Sequence, residues 1–280
     1  MRNLFKAFLF RLRKDLTFRI TLFIGLGLSV LFTLIYLAID LAAKALVEED
    51  YTFMFCTGQN LFLSSLSPAQ NFGIAIPVNL ISFTVLEFTQ GSIRNKIIAG
   101  NSKAKIYFSL VLSGLVFTFA LIITYSLLSL ALGSMIGGFD INGVVGLGRI
   151  DAEYFWKMIV LTIGAYIFIT TMTIFFATLF RSIGPCIPVV LLLILGFYLS
   201  STIVSALGAF GEESEITKSI NTLMMIFNPL NSLGTSIQDV DTGILKIEND
   251  HFIAEIINNI VYSALFVTFG VLIFKKKDVK

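Results

Sequence analysis

Histidine is almost missing from this sequence, with one residue, His251, among 280. That excludes clustered-histidine metal sites and hydrolases that set a histidine base beside a buried nucleophile. Cysteine is nearly as scarce. Cys56 and Cys186 are the only two, and the spans described below put them near opposite membrane faces, so no disulfide is expected. Charged residues make up 14% of the chain, against about 25% for an ordinary soluble domain. A phosphate-binding loop is also absent. Neither Gly91-Ser92 nor Gly100-Asn101-Ser102 continues into the required Gly-Lys-Ser/Thr, so nucleotide is not bound in that manner.

What is present is apolar surface. Hydrophobic residues make up 56% of the chain, and the mean hydropathy is +0.89, which calls for lipid as the solvent. A bilayer core about 30 Å thick takes roughly 20 helical residues to cross. Stretches that meet this are roughly 20–39, 72–88, 106–136, 158–180, 186–207 and 256–274. The second is short for a span, and the third is long enough to tilt or project. None alternates apolar and polar as a barrel strand does. The expectation is an all-α polytopic membrane protein of six transmembrane helices, a single domain over 1–280. Ala43-Lys44-Ala45 has the look of a signal cleavage site. The run before it is longer than a signal core of about 7–15 residues, so it reads as a retained first span.

Charge sorts by sign. Arg2, Lys6, Arg11, Arg13, Lys14, Arg19, Arg94, Lys96, Lys103, Lys105, Arg181, Lys275, Lys276, Lys277 and Lys280 fall on one side of a six-span chain, and 15 of the 18 acids on the other. By the positive-inside rule both termini face the cytoplasm, which predicts a multi-pass protein of the cell membrane. Residues 1–19 place Phe5, Phe8, Leu9, Leu12 and Leu16 on one face. This predicts an amphipathic helix on the inner surface, or a basic anchor that only sets topology. The segment 208–255 is an acidic outer loop. Its apolar piece Ile216 to Phe227, stopped at Asn228-Pro229, is too short to cross and reads as an interfacial or re-entrant helix.

Within the cores of the six stretches no Asp, Glu, Lys, Arg or His is found. Proton relays and ion paths normally need one, so energy for uphill transport must come from a partner. His251 reads as a solvated loop residue, and Cys56 as reachable by an impermeant thiol reagent unless its loop is packed. Pro77 and Asn79 in the second span could form a flexing or cargo-contact point, or simply pack helices. Thr170, Thr171 and Thr173 are expected to bond their own backbone. Pro185 suits the first position of the fifth span. The 28 phenylalanines could make an adaptable apolar path, though lipid contact and packing account for most.

The one substantial inner loop is 89–105. Ser92 is a suitable N-cap, Ile93 and Ile97 share a face, and Gly100 is placed to end a two-turn helix. Such a helix could be a handle for a cytoplasmic partner or a basic surface on anionic lipid. Glu87, then Gly91-Ser92-Ile93-Arg94-Asn95-Lys96 and Gly100, resembles the inner loop of the permease subunits of type-2 ATP-binding-cassette exporters. The order of elements along the whole chain is similar, including Asn228-Pro229-Leu230 before the last span. The resemblance implies that residues 92–99 are a coupling helix seated in a groove of an ATPase subunit. Glu87, Gly91, Ser92, Ile93, Arg94, Asn95, Lys96, Ile97 and Gly100 would line that interface, with Glu87 and Arg94 holding the joint.

The same resemblance makes Asn228-Pro229 part of an outer gate. It also implies two ATPase copies carrying ATP and Mg, a second permease copy as a homodimer, and contact with membrane lipid. No cofactor, metal or nucleic acid is expected on this chain, and it is not expected to be an enzyme. An amphipathic or antimicrobial-type peptide is the suggested cargo. The alternatives are a channel or secondary carrier, a membrane enzyme for which no nucleophile–base pair can be assembled, or a peptide-binding immunity protein that does not transport.

Overall fold

The computed structural model describes residues 2–46, 55–68, 72–139, 144–145, 148–210, 227–230, 236–238 and 245–277. Nine helices carry the fold among them. They are α1 (Arg2–Lys14), α2 (Leu16–Leu46), α3 (Gly58–Leu66), α4 (Phe72–Thr89), α5 (Ser92–Ile98), α6 (Lys103–Gly137), α7 (Ala152–Phe180), α8 (Ile183–Phe210) and α9 (Asn249–Lys276). Two short antiparallel ribbons accompany them, β1 (Val144–Val145) with β2 (Gly148–Arg149) and β3 (Ser236–Gln238) with β4 (Leu245–Ile247). Among the described residues five helices are long and apolar enough to cross a membrane: α2, α6, α7, α8 and α9. The chain is an all-α polytopic membrane protein.

Side-chain pairings fix the directions. Phe18 meets Phe117 and Ser29 bonds Ser129 at 2.8 Å, so α2 and α6 run parallel. Thr118 bonds Thr170 at 2.9 Å while Gly114 faces Ile174, so α7 runs against α6. Tyr107 meets Gly270, and Lys103 Nζ donates to the carbonyls of Lys275 and Lys277, so α9 also runs against α6. The bundle therefore has an α5 end, where Lys103 lies, and a β4 end. In α6 and α7, 61% of the apolar window is buried, against 17% in α2, α8 and α9. The first pair is the core, and the other three leave their outward faces exposed.

The shortness of the stretch expected as a second span has a structural explanation. Gly58 N–H donates to the Gly138 carbonyl, and Gly133 packs on Leu61, so α3 starts at the β4 end of α6. Leu80 reaches Gly114 and Phe88 reaches Phe274 at the other end. α3 and α4 thus share one passage along α6, interrupted after Leu66. Sequence windows see only the α4 half because Gln59, Asn60, Ser64 and Ser65 interrupt the hydropathy of α3.

Some local expectations change. Cys56 is fully buried, its thiol donating to the Thr33 carbonyl at 3.7 Å, so it is not an open loop residue; both cysteines are free. α8 begins at Ile183, which makes Pro185 its third residue rather than its first. Thr171 and Thr173 do bond their own backbone, but Thr170 bonds across to α6. His251 lies in α9, half-buried.

Candidate functional site

α4 ends at Thr89, and α5 leaves it at a bend of 54°. The bend is made by Gly91, whose φ of +68° lies in the left-handed region that glycine enters without a Cβ penalty. Gly91, not Ser92, is therefore the N-cap. Gly100 follows the helix with φ +83° and closes it, its N–H donating to the Ile97 carbonyl at 2.9 Å. Ile93 is fully buried and Ile97 packs against the same core. Arg94, Asn95 and Ile98 point the other way, and Ile98 is 74% exposed.

Freed from capping, Ser92 does something else. Its hydroxyl donates to Glu87 Oε2 at 2.6 Å, and Lys96 Nζ donates to the same oxygen at 2.7 Å. Arg11 of α1 completes the cluster, with Nη1 2.9 Å from Glu87 Oε1. That last contact is an ion pair without a directed hydrogen bond to the oxygen. Arg11 also donates to the Gln90 side chain. Lys96 lies over the Phe8 ring at 3.2 Å. Burial pulls the Lys96 ammonium below its ordinary value, against the attraction of Glu87, which works the other way. Arg94 lies on the exposed face of α5, apart from Glu87, while Lys96 and Arg11 are the cations that turn toward the carboxylate.

Arg11, Phe8 and Gln90 are partners that sequence reasoning missed. Arg11 was legible only as one cation of a basic helix, since its acid lies 76 residues away. Between α1 and α5 lies a cleft of about 650 Å³, lined by Leu4, Ala7, Arg11, Gln90, Asn95 and Asn101, among others.

The second expected group is split. Pro77 is buried within α4, and Asn79 donates to the Ala75 carbonyl of its own helix at 2.8 Å, not across helices. Asn228, 2% exposed, donates to the Phe197 carbonyl at 2.9 Å and to Ser200 Oγ at 3.1 Å, and its Oδ1 accepts from Leu230 N–H. Phe197 stands 14 residues into α8, roughly 21 Å along its axis, so Asn228-Pro229-Leu230 sits deep beside that helix. The apolar piece before it, Ile216 to Phe227, lies outside the described residues except for Phe227. The Tyr198 hydroxyl stands near Gly73 at the start of α4. The two interruptions thus both abut α8 near residues 197–198.

The β4 end also holds charge that the apolar windows stopped just short of. Asp40 is fully buried in α2, its carboxylate accepting from the N–H groups of Phe55 and Cys56 at 3.1 and 2.6 Å. Lys157 is 8% exposed and donates to the Ile247 carbonyl and Asn249 Oδ1 at 2.8 and 2.7 Å, with Glu153 at 2.6 Å. Glu255 in α9 is 3% exposed. Asp40, Lys157 and Glu255 lie just outside the stretches 20–39, 158–180 and 256–274, so the cores stay free of Asp, Glu, Lys, Arg and His while their ends at this side do not. Among the described residues no group of His, Cys, Asp or Glu is arranged to hold a metal ion.

The family model described as "Protein of unknown function (DUF2705)" matches residues 44–280, and the chain belongs to that family. The match starts within α2, so Arg11 and α1 lie outside it. No curated protein and no solved structure matches the chain.

Proposed function

We propose that this member of the DUF2705 family is the membrane-spanning subunit of an ATP-driven exporter, forming half of a translocation pathway and coupled to a separate ATPase subunit. Its six spans would be α2, the α3–α4 passage, α6, α7, α8 and α9, with both termini and α5 on the cytoplasmic side. The basic residues gathered at the α5 end support that orientation. The observation that carries the reading is α5 itself. It is a short helix bent 54° off a buried one, anchored by Ile93 and the Glu87 cluster, with Arg94, Asn95 and Ile98 facing outward beside an open cleft.

A docked ATPase would push on α5, and the anchor would pass the movement to α4 and α6. Residues 227–230, held on α8, would belong to a gate at the β4 end, and the cargo class remains an amphipathic peptide. A second copy of the chain would supply the other half of the pathway, as a homodimer. The buried Glu255, Asp40 and Lys157 favour one rival, a carrier driven by an ion gradient.

The test is co-expression of the full chain with an ATP-binding-cassette ATPase from the same genome. Stimulated ATP hydrolysis is expected. Arg94→Glu with Ile98→Asp should cut the stimulation about tenfold without lowering the amount of chain in the membrane. Solute accumulation by the chain alone in vesicles, driven by an ion gradient, would replace the exporter with the carrier.

A further inference from the structure

Four polar residues of α9 fall at a spacing of four, His251, Glu255, Asn259 and Ser263, and so share one helix face over roughly 18 Å of axis. Glu255, Asn259 and Ser263 are 3%, 3% and 7% exposed, so the stripe faces the bundle rather than lipid. Among the described residues, His251 Nδ1, both amide atoms of Asn259 and the Ser263 hydroxyl have no hydrogen-bond partner. In a membrane helix such groups are costly unless something polar meets them, because hydrocarbon offers no substitute bond.

Two cavities lie along the stripe. At its mouth a cavity of about 230 Å³ is lined by Asp151, Glu153, Lys157, Lys246, Glu248 and Asn249. One to two turns further in, a cleft of about 190 Å³ runs between α7 and α9, walled mostly by Ile163, Ile167, Ile256 and Ile260, with Gly164 beside Asn259, the polar exception. Asn259 fits there because Gly164 has no side chain; a Cβ would stand 3.1 Å from the amide nitrogen. A water occupies about 30 Å³ of liquid and needs two to four polar partners. The stripe offers them in sequence: the imidazole, the carboxyl, an amide donor and acceptor, then a hydroxyl.

We propose that the α7–α9 seam is a water inlet, entered at the β4 end beside Lys157 and descending past Glu255 and Asn259 to Ser263. Its ligand class is water and small hydrated cations that exchange with it. It places the Glu255 carboxyl in contact with the solution at the β4 end. Below Ser263 the buried face of α9 turns to Gly270 and Phe274, and the inlet stops. This inference stands whether or not an ATPase docks on α5.

The experiment uses the full chain in lipid nanodiscs with Cys56→Ser and Cys186→Ser, and silver ion as the water-borne thiol probe. Asn259→Cys and Ser263→Cys are compared with the lipid-facing Val261→Cys and Leu265→Cys. The inlet predicts reaction at 259 and 263 at least tenfold faster than at 261 and 265, and slowing at 263 when Gly164→Val is added. Equal rates at all four positions would overturn the inlet. Reaction at 263 indifferent to Gly164→Val would overturn its route. Ser263→Cys changes a single atom, so it keeps the test decisive if Asn259→Cys does not fold.

Discussion

At the α5 end a buried carboxylate, Glu87, is held by other side chains: the Ser92 hydroxyl, the Lys96 ammonium and the Arg11 guanidinium. At the β4 end a buried carboxylate, Asp40, is held by the backbone N–H groups of Phe55 and Cys56, and a buried ammonium, Lys157, adds the Ile247 carbonyl to its Asn249 and Glu153 side-chain partners. Side-chain clamps loosen by rotamer changes, and two of the three at Glu87 keep a route to water, with Arg11 at 30% and Lys96 at 15% exposure. Backbone clamps loosen only if the chain moves. The α5 end is therefore built to be rearranged, and the β4 end to hold loops against the bundle.

The largest effect expected from this contrast is at Asp40. Asp40→Ala leaves two buried N–H groups without their charged acceptor and should cost on the order of 3 kcal/mol, read as lost thermal stability in lipid. The neighbouring thiol reports the same event. Burial, and secondarily the Asp40 charge, pushes Cys56 up to about 11. In the wild type its alkylation should stay slow at neutral pH and climb about tenfold per pH unit toward that value, because only the thiolate reacts. Asp40→Ala should quicken it at fixed pH; an unchanged rate would mean the clamp does not seal Cys56.

Glu87→Ala should cost less, roughly 2 kcal/mol, since the cations it strands can turn toward water. A loss larger than that of Asp40→Ala would break the comparison outright.

How far the sequence carried this picture depended on distance along the chain. The long apolar runs of α2, α6, α7, α8 and α9 were legible because each is its own signal. The short helix α5 was legible from Gly100 and the Ile93–Ile97 face, all within one loop, although its cap was placed at Ser92 instead of Gly91. The partner of Glu87 was not, because Arg11 is set beside it by the packing of α1 on α6. α3 was hidden for another reason: its Gln59, Asn60 and Ser65 are buried against protein, where polarity is tolerated and hydropathy misleads. The stripe on α9 was masked by the same rule, since a window that begins at residue 256 leaves out Glu255 and His251.

The smallest expected effect separates the two ends most finely, at Lys96. Its ammonium is drawn below the ordinary 10.5 because burial outweighs the pull of Glu87. The folded state then holds this proton less tightly than the unfolded chain does. Folding carries that penalty at neutral pH, and stability rises as pH climbs through the lowered value toward 10.5, where the unfolded chain still binds a proton that the folded one has released. Lys96→Met removes both the penalty and the Glu87 contact, so at pH 7 its net effect should stay under about 1 kcal/mol. Melting temperatures of wild type and variant, measured in parallel across the alkaline range, should converge or cross in the variant's disfavour just below pH 10.5. A cost at Lys96→Met as large as that at Glu87→Ala would mean that the ion pair, not burial, governs this lysine, and that the α5 end is clamped as firmly as the β4 end.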